Sequence, residues 1–373
     1  MAGWRYIAQR AVTGEFLDMD VPIERDDLTW SLSGAGSLRG SVSPDTGTLR
    51  ADDGRLVLEE WGTLLYAEAD GEIRWGGIVI SSKFEGAAWK IEAAGFTTYP
   101  HGLPYTGDYS QIQVDPAEVV RHIWQHLQAH ASGDLGVVVT GDSTPVRIGT
   151  EPRDVEFTTG AGETVAFTAG PYELSWWEAP DCGKEIESLA KETPFDYVER
   201  HSWDGDDVRH EVVIGYPRLG RRRDDLAFIQ GDNIADVVAP TMDGDDYANG
   251  ILGLGAGEGK GVLQRTVAVD DGRLRRLAVY TAKDVASESR MDALIQRELR
   301  RRLDTLQITQ VTVRDHPNAR IGSWSLGDDV LIQATLPWLG DIALWCRVVG
   351  WTLKTESTAT LSLVRSDSFT YGG

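Results

Sequence analysis

The sequence predicts a β-rich multidomain protein of the α+β class, with strand-dominated ends flanking a mixed α/β middle. Three observations predict it. Short apolar runs alternate with polar residues through both ends of the chain. Glycine is abundant, at 41 of 373 residues, and sits with Asp and Ser between those runs. Apolar residues at helical spacing occur in only three places. A chain of 373 residues suits two to three domains, and its 41% hydrophobic content supplies a sizeable core.

Taken in order, strands are expected at 4–8, 28–32, 56–61, 63–68, 73–81 and 88–94. The Asp70-Gly71 pair between two of them is a hairpin signal. A sheet this rich in strands is expected to close on itself or stack as a sandwich, because open edges invite aggregation. A break follows at 97–109, marked by Pro100, Gly102, Pro104 and Gly107. Asp115 then caps a helix with Pro116 in its first turn and Glu118 three residues on. Val119, Val120, Ile123, Trp124 and Leu127 form its apolar stripe, and it should end near 130–133. Strand pieces are expected at 135–140, 155–157 and 162–177. A second helix is expected over 183–192, stopping before Pro194. A hairpin at 195–201 and 208–216 turns around Asp204-Gly205.

Arg221-Arg222-Arg223 marks a second boundary. Strands are expected at 234–238, 250–255, 262–269 and 274–280. A third helix spans 284–306, with Met291, Leu294, Ile295, Leu299, Leu303 and Leu306 on one face. Arg290, Arg297, Arg300, Arg301 and Arg302 lie opposite, either as an interface or as a solvated face with local pairs such as Glu298 with Arg302. The chain returns to strands at 309–314, 329–336, 342–352 and 358–364, and 369–373 is a short tail. The divisions that follow are 1–100, 101–225 and 226–373. No fixed-period repeat is present, although both ends could be copies of one barrel plan.

Composition excludes several functions. Lys plus Arg total 36 against 58 Asp plus Glu, a formal charge of −22, which disfavours gripping nucleic acid or anionic lipid. Two cysteines, Cys182 and Cys346, give neither a disulfide framework nor a four-cysteine zinc site. The start has no apolar signal segment, and no run of 18 apolar residues exists, so no membrane anchor is expected. Arg outnumbers Lys 29 to 7, which fits a GC-rich coding genome or arginine-rich interfaces.

The search for chemistry finds patterns that stop short. The run from Gly253 to Gly261 places Leu254 and Gly261 where a phosphate loop needs Gly and Ser or Thr. It reads as a flexible β-loop. His122, His126 and His130 share one helix face, and two of them could in principle ligate a metal, but no Glu follows His122 as in zinc proteases, and the stretch reads as a solvated helix face. Asp204-Gly205-Asp206-Asp207 and Asp243-Gly244-Asp245-Asp246 could bind calcium, but neither completes an EF-hand loop, and both read as ordinary Asp-Gly turns. No Gly-x-Ser-x-Gly elbow occurs, and Cys182 lies in no thiol-enzyme signature. Trp176, Trp177 and Trp203 serve as packing residues or as a platform for sugar rings. No catalytic, cofactor-binding or metal residue is assigned, no cofactor is expected, and the chain is not expected to be an enzyme.

The order of the pieces resembles a known family. Asp26-Asp27-Leu28-Thr29-Trp30-Ser31-Leu32-Ser33-Gly34-Ala35-Gly36-Ser37-Leu38-Arg39-Gly40, followed by Gly71-Glu72-Ile73-Arg74-Trp75-Gly76-Gly77-Ile78-Val79, is similar to the opening of minor tail proteins of actinobacterial siphophages. Gly95-Phe96-Thr97-Thr98-Tyr99-Pro100 leading into Asp115-Pro116-Ala117-Glu118 resembles their junction, as does Ile214-Gly215-Tyr216-Pro217-Arg218-Leu219-Gly220-Arg221-Arg222-Arg223. Leu326-Gly327-Asp328-Asp329-Val330 with Arg347-Val348-Val349-Gly350-Trp351 is similar to the last barrel of phage baseplate hubs, a family related to the N-terminal hub part of tail-associated lysins.

The resemblance implies a baseplate-hub-like fold. Two β-barrel tube-type domains, 1–100 and 226–373 with an inserted helix near 284–306, flank the middle domain 101–225. It implies a virion structural protein at the tail tip, assembled in the host cytoplasm as a homotrimer. The trimer forms a pseudo-sixfold ring joining the sixfold tail tube and distal tail protein to the threefold tip. The expected partners are the distal tail protein, the tape measure protein and other minor tail proteins. Genomic DNA passes through the channel without specific binding, and an acidic wall suits that passage. Many such hubs carry a C-terminal lysin or receptor-binding extension; this chain ends soon after its last barrel strand, so wall-degrading activity is expected on another protein. The alternatives are a carbohydrate-binding tail protein that contacts the host wall, and a cell-wall hydrolase.

Overall fold

The computed structural model describes residues 3–43, 50–158, 164–193, 195–242, 244–257, 261–282, 285, 287–303 and 305–366. It is β-rich, with three α-helices among the described residues.

Seven strands open the chain: β1 (Trp4–Arg10), β2 (Phe16–Asp18), β3 (Ile23–Ser31), β4 (Ser37–Val42), β5 (Thr63–Ala69), β6 (Glu72–Glu85) and β7 (Ala88–Gly95). They pair antiparallel in the order β3-β4-β7-β6-β5-β1-β2. The β5–β6 hairpin turns at Asp70 and Gly71, both at positive φ, 54° and 78°. That is the left-handed pair an Asp-Gly turn provides. The strand expected at 56–61 does not form: Leu56 makes an isolated bridge to Arg50, and Trp61 sits at φ 57° in the approach to β5. Val57 and Leu58 are nevertheless buried, so the apolar pattern there records burial without a ladder.

The middle holds β8 (Asp108–Gln111), α1 (Pro116–Gln128), β9 (Val137–Gly141), β10 (Arg153–Thr158), β11 (Thr164–Ala169), β12 (Tyr172–Ser175), α2 (Cys182–Glu192), β13 (Asp196–Asp204) and β14 (Asp207–Gly215). Asp115 caps α1 by accepting from the backbone N–H of Ala117, and Asp181 caps α2 from Gly183 and Lys184. β13 and β14 form the expected hairpin around Asp204-Gly205, and β9 joins β14 in parallel. Pro194, the expected stop of α2, lies outside the described residues.

The last part holds β15 (Arg222–Ile229), β16 (Thr241–Met242), β17 (Gly250–Leu254), β18 (Gln264–Ala268), β19 (Leu277–Thr281), α3 (Glu288–Leu303), β20 (Leu306–Gln307), β21 (Gln310–Arg314), β22 (Asp329–Leu336), β23 (Gly340–Thr355) and β24 (Thr358–Arg365). The helix is shorter than the expected 284–306. Position 284 lies outside the described residues, and Leu306 pairs with Met242 instead of continuing the apolar stripe. In place of the strand expected at 234–238, Ile234 makes only isolated bridges. The tail at 369–373 lies outside the described residues.

The two ends of the chain share one sheet. Residues 350–353 of β23 pair antiparallel with residues 28–31 of β3. The sheet has 12 strands, running from β15 through β22 and β23 to β3 and on to β2, with β21 and β24 attached at β23. Among the described residues no ladder joins the two ends of this path.

Strand alternation then builds two cores. Every residue of β5 is buried. Leu65 and Ala67 face a core shared with Leu28, Leu38, Phe228, Val330, Val348 and Leu361, residues from both chain ends. Leu64 and Tyr66 face the other way, onto Val120, Ile123 and Trp124 of α1, Ile186 of α2 and Ile214 of β14. A third, smaller core packs Met291, Ile295 and Leu299 of α3 against Ile251 of β17.

Candidate functional site: the joint between the three parts

Several of the motifs that carried the resemblance converge. Residues 215–223, which lead from β14 to β15, lie between Asp196 of the middle part and the 326–330 and 347–351 segments of the last part. Asp196 Oδ2 accepts from the Leu219 N–H at 2.7 Å and is ion-paired with Arg347. Arg347 also donates to the Leu219 carbonyl at 3.0 Å and the Gly327 carbonyl at 3.2 Å. Arg218 is ion-paired with Asp329, and the two side chains are only 7% and 1% exposed. Asp328 Oδ1 accepts from the Arg221 N–H at 2.9 Å, and its Oδ2 from Ser325 N–H at 2.9 Å and Arg223 Nη1 at 3.1 Å.

Two glycines let the backbones touch. Gly220 and Gly327 are both left-handed, at φ 82° and 90°; a Cβ on Gly220 would fall 2.0 Å from the Gly327 carbonyl carbon. The first part joins the same place: the Ser33 N–H donates to the Tyr197 carbonyl at 2.8 Å, and the Leu32 N–H to the Val349 carbonyl at 2.8 Å.

Burial of so many charges needs this pairing. Burial holds the Asp329 carboxyl above its usual range, against the pull of Ser366, Arg218 and Arg347. Beside the joint opens a cleft of about 1340 Å³, whose lining includes Trp4, Trp30, Trp324 and Trp351 with Arg74 and Arg200.

A second polar cluster ties the first part to the middle. His201 and His210 on the β13–β14 hairpin face each other with Nδ1 atoms 3.1 Å apart, so one nitrogen must carry the proton for the other to accept it. Tyr66 Oη is 3.2 Å from His210 Nε2 and donates to Gln9 Oε1 at 2.7 Å. Glu199 accepts from the Phe96 and Thr97 N–H groups at 3.0 and 2.7 Å. Burial, with His201 beside it, pushes His210 down to about 3. Gly76 permits the approach, since a Cβ there would lie 3.0 Å from the His201 ring.

The other expected patterns are dispersed. His122, His126 and His130 do share a face, with Thr106 and Tyr105 against them. Asp207 of the first Asp-Gly turn accepts from Gln9 Nε2 at 3.0 Å and from the Val208 N–H at 2.8 Å, so its carboxylate is engaged within the fold. In the second turn, Asp243 lies outside the described residues, and Asp246 faces Arg302 at 3.7 Å. Of the glycine-rich loop, 258–260 lies outside the described residues and 250–254 is β17. Cys182 and Cys346 are buried, and burial beside Asp181 pushes the Cys182 thiol up to about 11, away from the range of a nucleophile. Trp176 and Trp177 are each 60% exposed, whereas Trp203 is half-buried against Phe16. On α3, Glu298 holds Arg301 at 2.7 Å and Arg302 at 2.6 Å. Among the described residues no three His, Cys, Asp or Glu side chains are grouped to hold a metal ion, and no helix is long and apolar enough to cross a membrane.

Sequence reasoning missed Asp196 and assigned no role to Arg218, Asp329 or Arg347. A signal was present: Asp328-Asp329 opens a strand whose following residues are apolar, which places at least one carboxylate in the core.

No protein-family model and no curated protein matches the sequence. Solved structures do. The 43 kDa tail protein of prophage MuSo2 from Shewanella oneidensis matches with a TM-score of 0.60 at 13% identity, covering 98% of this chain and 99% of that one. The tail protein from Neisseria meningitidis MC58 matches with a TM-score of 0.57 at 13% identity, covering 97% of both chains. Prophage tail protein gp18 from Listeria monocytogenes EGD-e matches with a TM-score of 0.54 at 13% identity, covering 97% of this chain and 95% of that one. The fold is therefore one that this chain shares with these three tail proteins.

Proposed function

We propose that the chain is a structural subunit of a phage tail, located at the tail tip. The observation that carries this reading is the likeness to three tail proteins along nearly the whole of each chain. In this reading the protein assembles as a homotrimer. Residues 1–100 and 226–373 supply two barrel-type domains per subunit, which alternate in a pseudo-sixfold ring around residues' common axis, and 101–225 lies between them. The ring meets the distal tail protein, the tape measure protein and other minor tail proteins, and has no catalytic task. The charge of −22 suits a wall past which DNA slides without being held. The joint suits a part that transmits force, because its three segments are tied through buried ion pairs and backbone hydrogen bonds.

Immunogold labelling of phage particles with antibody to this chain tests the location. Label at the tail end supports it, and label on the head overturns it. Native mass spectrometry tests the assembly: a species of about 123 kDa, three times the 40.9 kDa chain, is expected. A second reading rests on Trp176 and Trp177, exposed and set edge to face at 85°. If the chain instead contacts wall glycan, binding is saturable and Trp176→Ala abolishes it.

A further inference from the structure

Two features at opposite ends of one strand have no use within a single chain. The first is the tip of the β22–β23 hairpin, Pro337-Trp338-Leu339. Trp338 is 96% exposed and Leu339 40%. The tip is firmly built. Leu336 and Gly340 pair across it, the Leu339 N–H donates to the Leu336 carbonyl at 3.3 Å, and Gly340 turns at φ 70°. Thr335 Oγ1 donates to Asp341 Oδ1 at 2.7 Å and ties the two arms below it. A turn fixed in this way loses little freedom on docking.

The second feature is the cleft of about 1340 Å³ beside the joint, walled in part by Trp4, Trp30, Trp324 and Trp351. It lies at the other end of β23, with Ser357 of the turn into β24 also in its lining. Gly340 to Trp351 is 11 residues along that strand, about 36 Å at 3.3 Å each, which keeps the tip out of its own cleft. Charge favours a meeting of the two features between copies. Each chain carries −22, so two copies repel over most of their surfaces. The cleft escapes this, because five arginines and five carboxylates line it. So does the tip, where Asp341 is the one charged residue between Thr335 and Ala343.

We propose that the Trp338 tip of one copy docks in the tryptophan-walled cleft of the next copy. The proposal rests on the homotrimer reading above and names the surfaces that meet in it. Tip to cleft is a head-to-tail contact, so each copy uses one of each and three contacts close a ring. A docked Trp buries about 150–250 Å², well short of the roughly 800 Å² per partner of a stable interface. One contact alone is therefore weak, and ring closure supplies the rest through effective concentration.

The test is cross-linking of the full chain carrying Trp338→Cys together with Ser323→Cys, an exposed position in the cleft lining. The native Cys182 and Cys346 are buried and stay out of the reaction. A bismaleimide should join the double variant into products of up to three chains, and each single variant should stay unlinked. In sedimentation equilibrium, Trp338→Ala should weaken self-association by about tenfold or more, with an unchanged circular dichroism spectrum. No cross-linked product, or the same product from Trp338→Cys alone, overturns the proposal. Self-association that Trp338→Ala leaves intact also overturns it, while leaving the homotrimer standing on other surfaces. A ladder running beyond three chains would uphold the contact and overturn the trimer.

Discussion

Trp30 and Trp351 lie flat against each other, with ring centroids 3.8 Å apart and an interplanar angle of 7°. They are direct cross-strand partners in the ladder that joins the two ends of the chain. Trp324 meets Trp351 edge-on at 5.6 Å, and Phe228 meets Trp324 in the same manner at 5.6 Å. Trp30 Nε1 donates to the Arg74 carbonyl at 2.9 Å. The seam is therefore an aromatic stack as well as a ladder.

Trp351→Ala should destabilise the fold by about 3–5 kcal/mol, since it empties a large buried site. A double-mutant cycle with Trp30→Ala should give a coupling of about 0.5–1.5 kcal/mol for the stacked pair. Trp338→Ala, at a hairpin tip where the side chain is 96% exposed, should stay within about 0.5 kcal/mol. Denaturant unfolding followed by circular dichroism measures all of these.

Gly220→Ala and Gly205→Ala separate backbone strain from contact. Both glycines have positive φ, but nothing lies within 4 Å of a Cβ on Gly205. Gly205→Ala should cost only the left-handed penalty, about 1–2 kcal/mol. Gly220→Ala should cost about 1–3 kcal/mol more, because its Cβ meets the Gly327 backbone. Equal losses in the two variants would show that the joint is looser than this packing requires.

Asp196→Ala removes the acceptor shared by Arg347 and the Leu219 N–H. Arg347 is 4% exposed and would lose the carboxylate it is ion-paired with, keeping its bonds to the Leu219 and Gly327 carbonyls. The expected loss is about 3–5 kcal/mol. Limited proteolysis should show new cleavage within 215–223, and the wild-type pattern in the variant would count against the role given to Asp196.

Acid should weaken the contact between the first part and the middle. His210 is held at about 3 in the folded chain, mainly by burial, against an ordinary value of 6.5. Above pH 6.5 both folded and unfolded chains carry it neutral, and its contribution is fully present. Below that, the unfolded chain takes up the proton first, so stability falls as pH drops from 6.5 towards 3. The slope from this group is about 1.4 kcal/mol per pH unit. His210→Asn should flatten the profile between pH 6 and 4, as read from unfolding free energies.

Much of this fold was legible in local pattern. Asp115-Pro116 announces α1, Asp70-Gly71 announces a hairpin, and Met291, Leu294 and Ile295 keep helical spacing because one face of α3 covers a sheet. What local pattern does not carry is partner choice. Nothing near Leu28 reveals that its neighbour across the ladder is Leu353. The 56–61 segment has a strand's alternation, yet Trp61 turns left-handed and the backbone finds no ladder. Leu306 keeps the stripe of α3 but pairs with Met242. Asp196 reads as an ordinary polar strand residue, because its purpose depends on Arg347, distant in sequence.

The pairing of residues 28–31 with residues 350–353 also sets a schedule. When the ribosome has made β3, its partner in the ladder is still about 320 residues away. At roughly 5–20 residues per second, that side of β3 waits on the order of 15–60 seconds for its neighbour. An unpaired strand is a hazard over such an interval, and Arg25, Asp26 and Asp27, with the irregularity between Arg25 and Asp27, discourage a wrong neighbour from taking the place. Folding of the 12-stranded sheet thus waits until β23 has been made, so a nascent chain truncated before Gly350 holds a half-built sheet with a guarded edge.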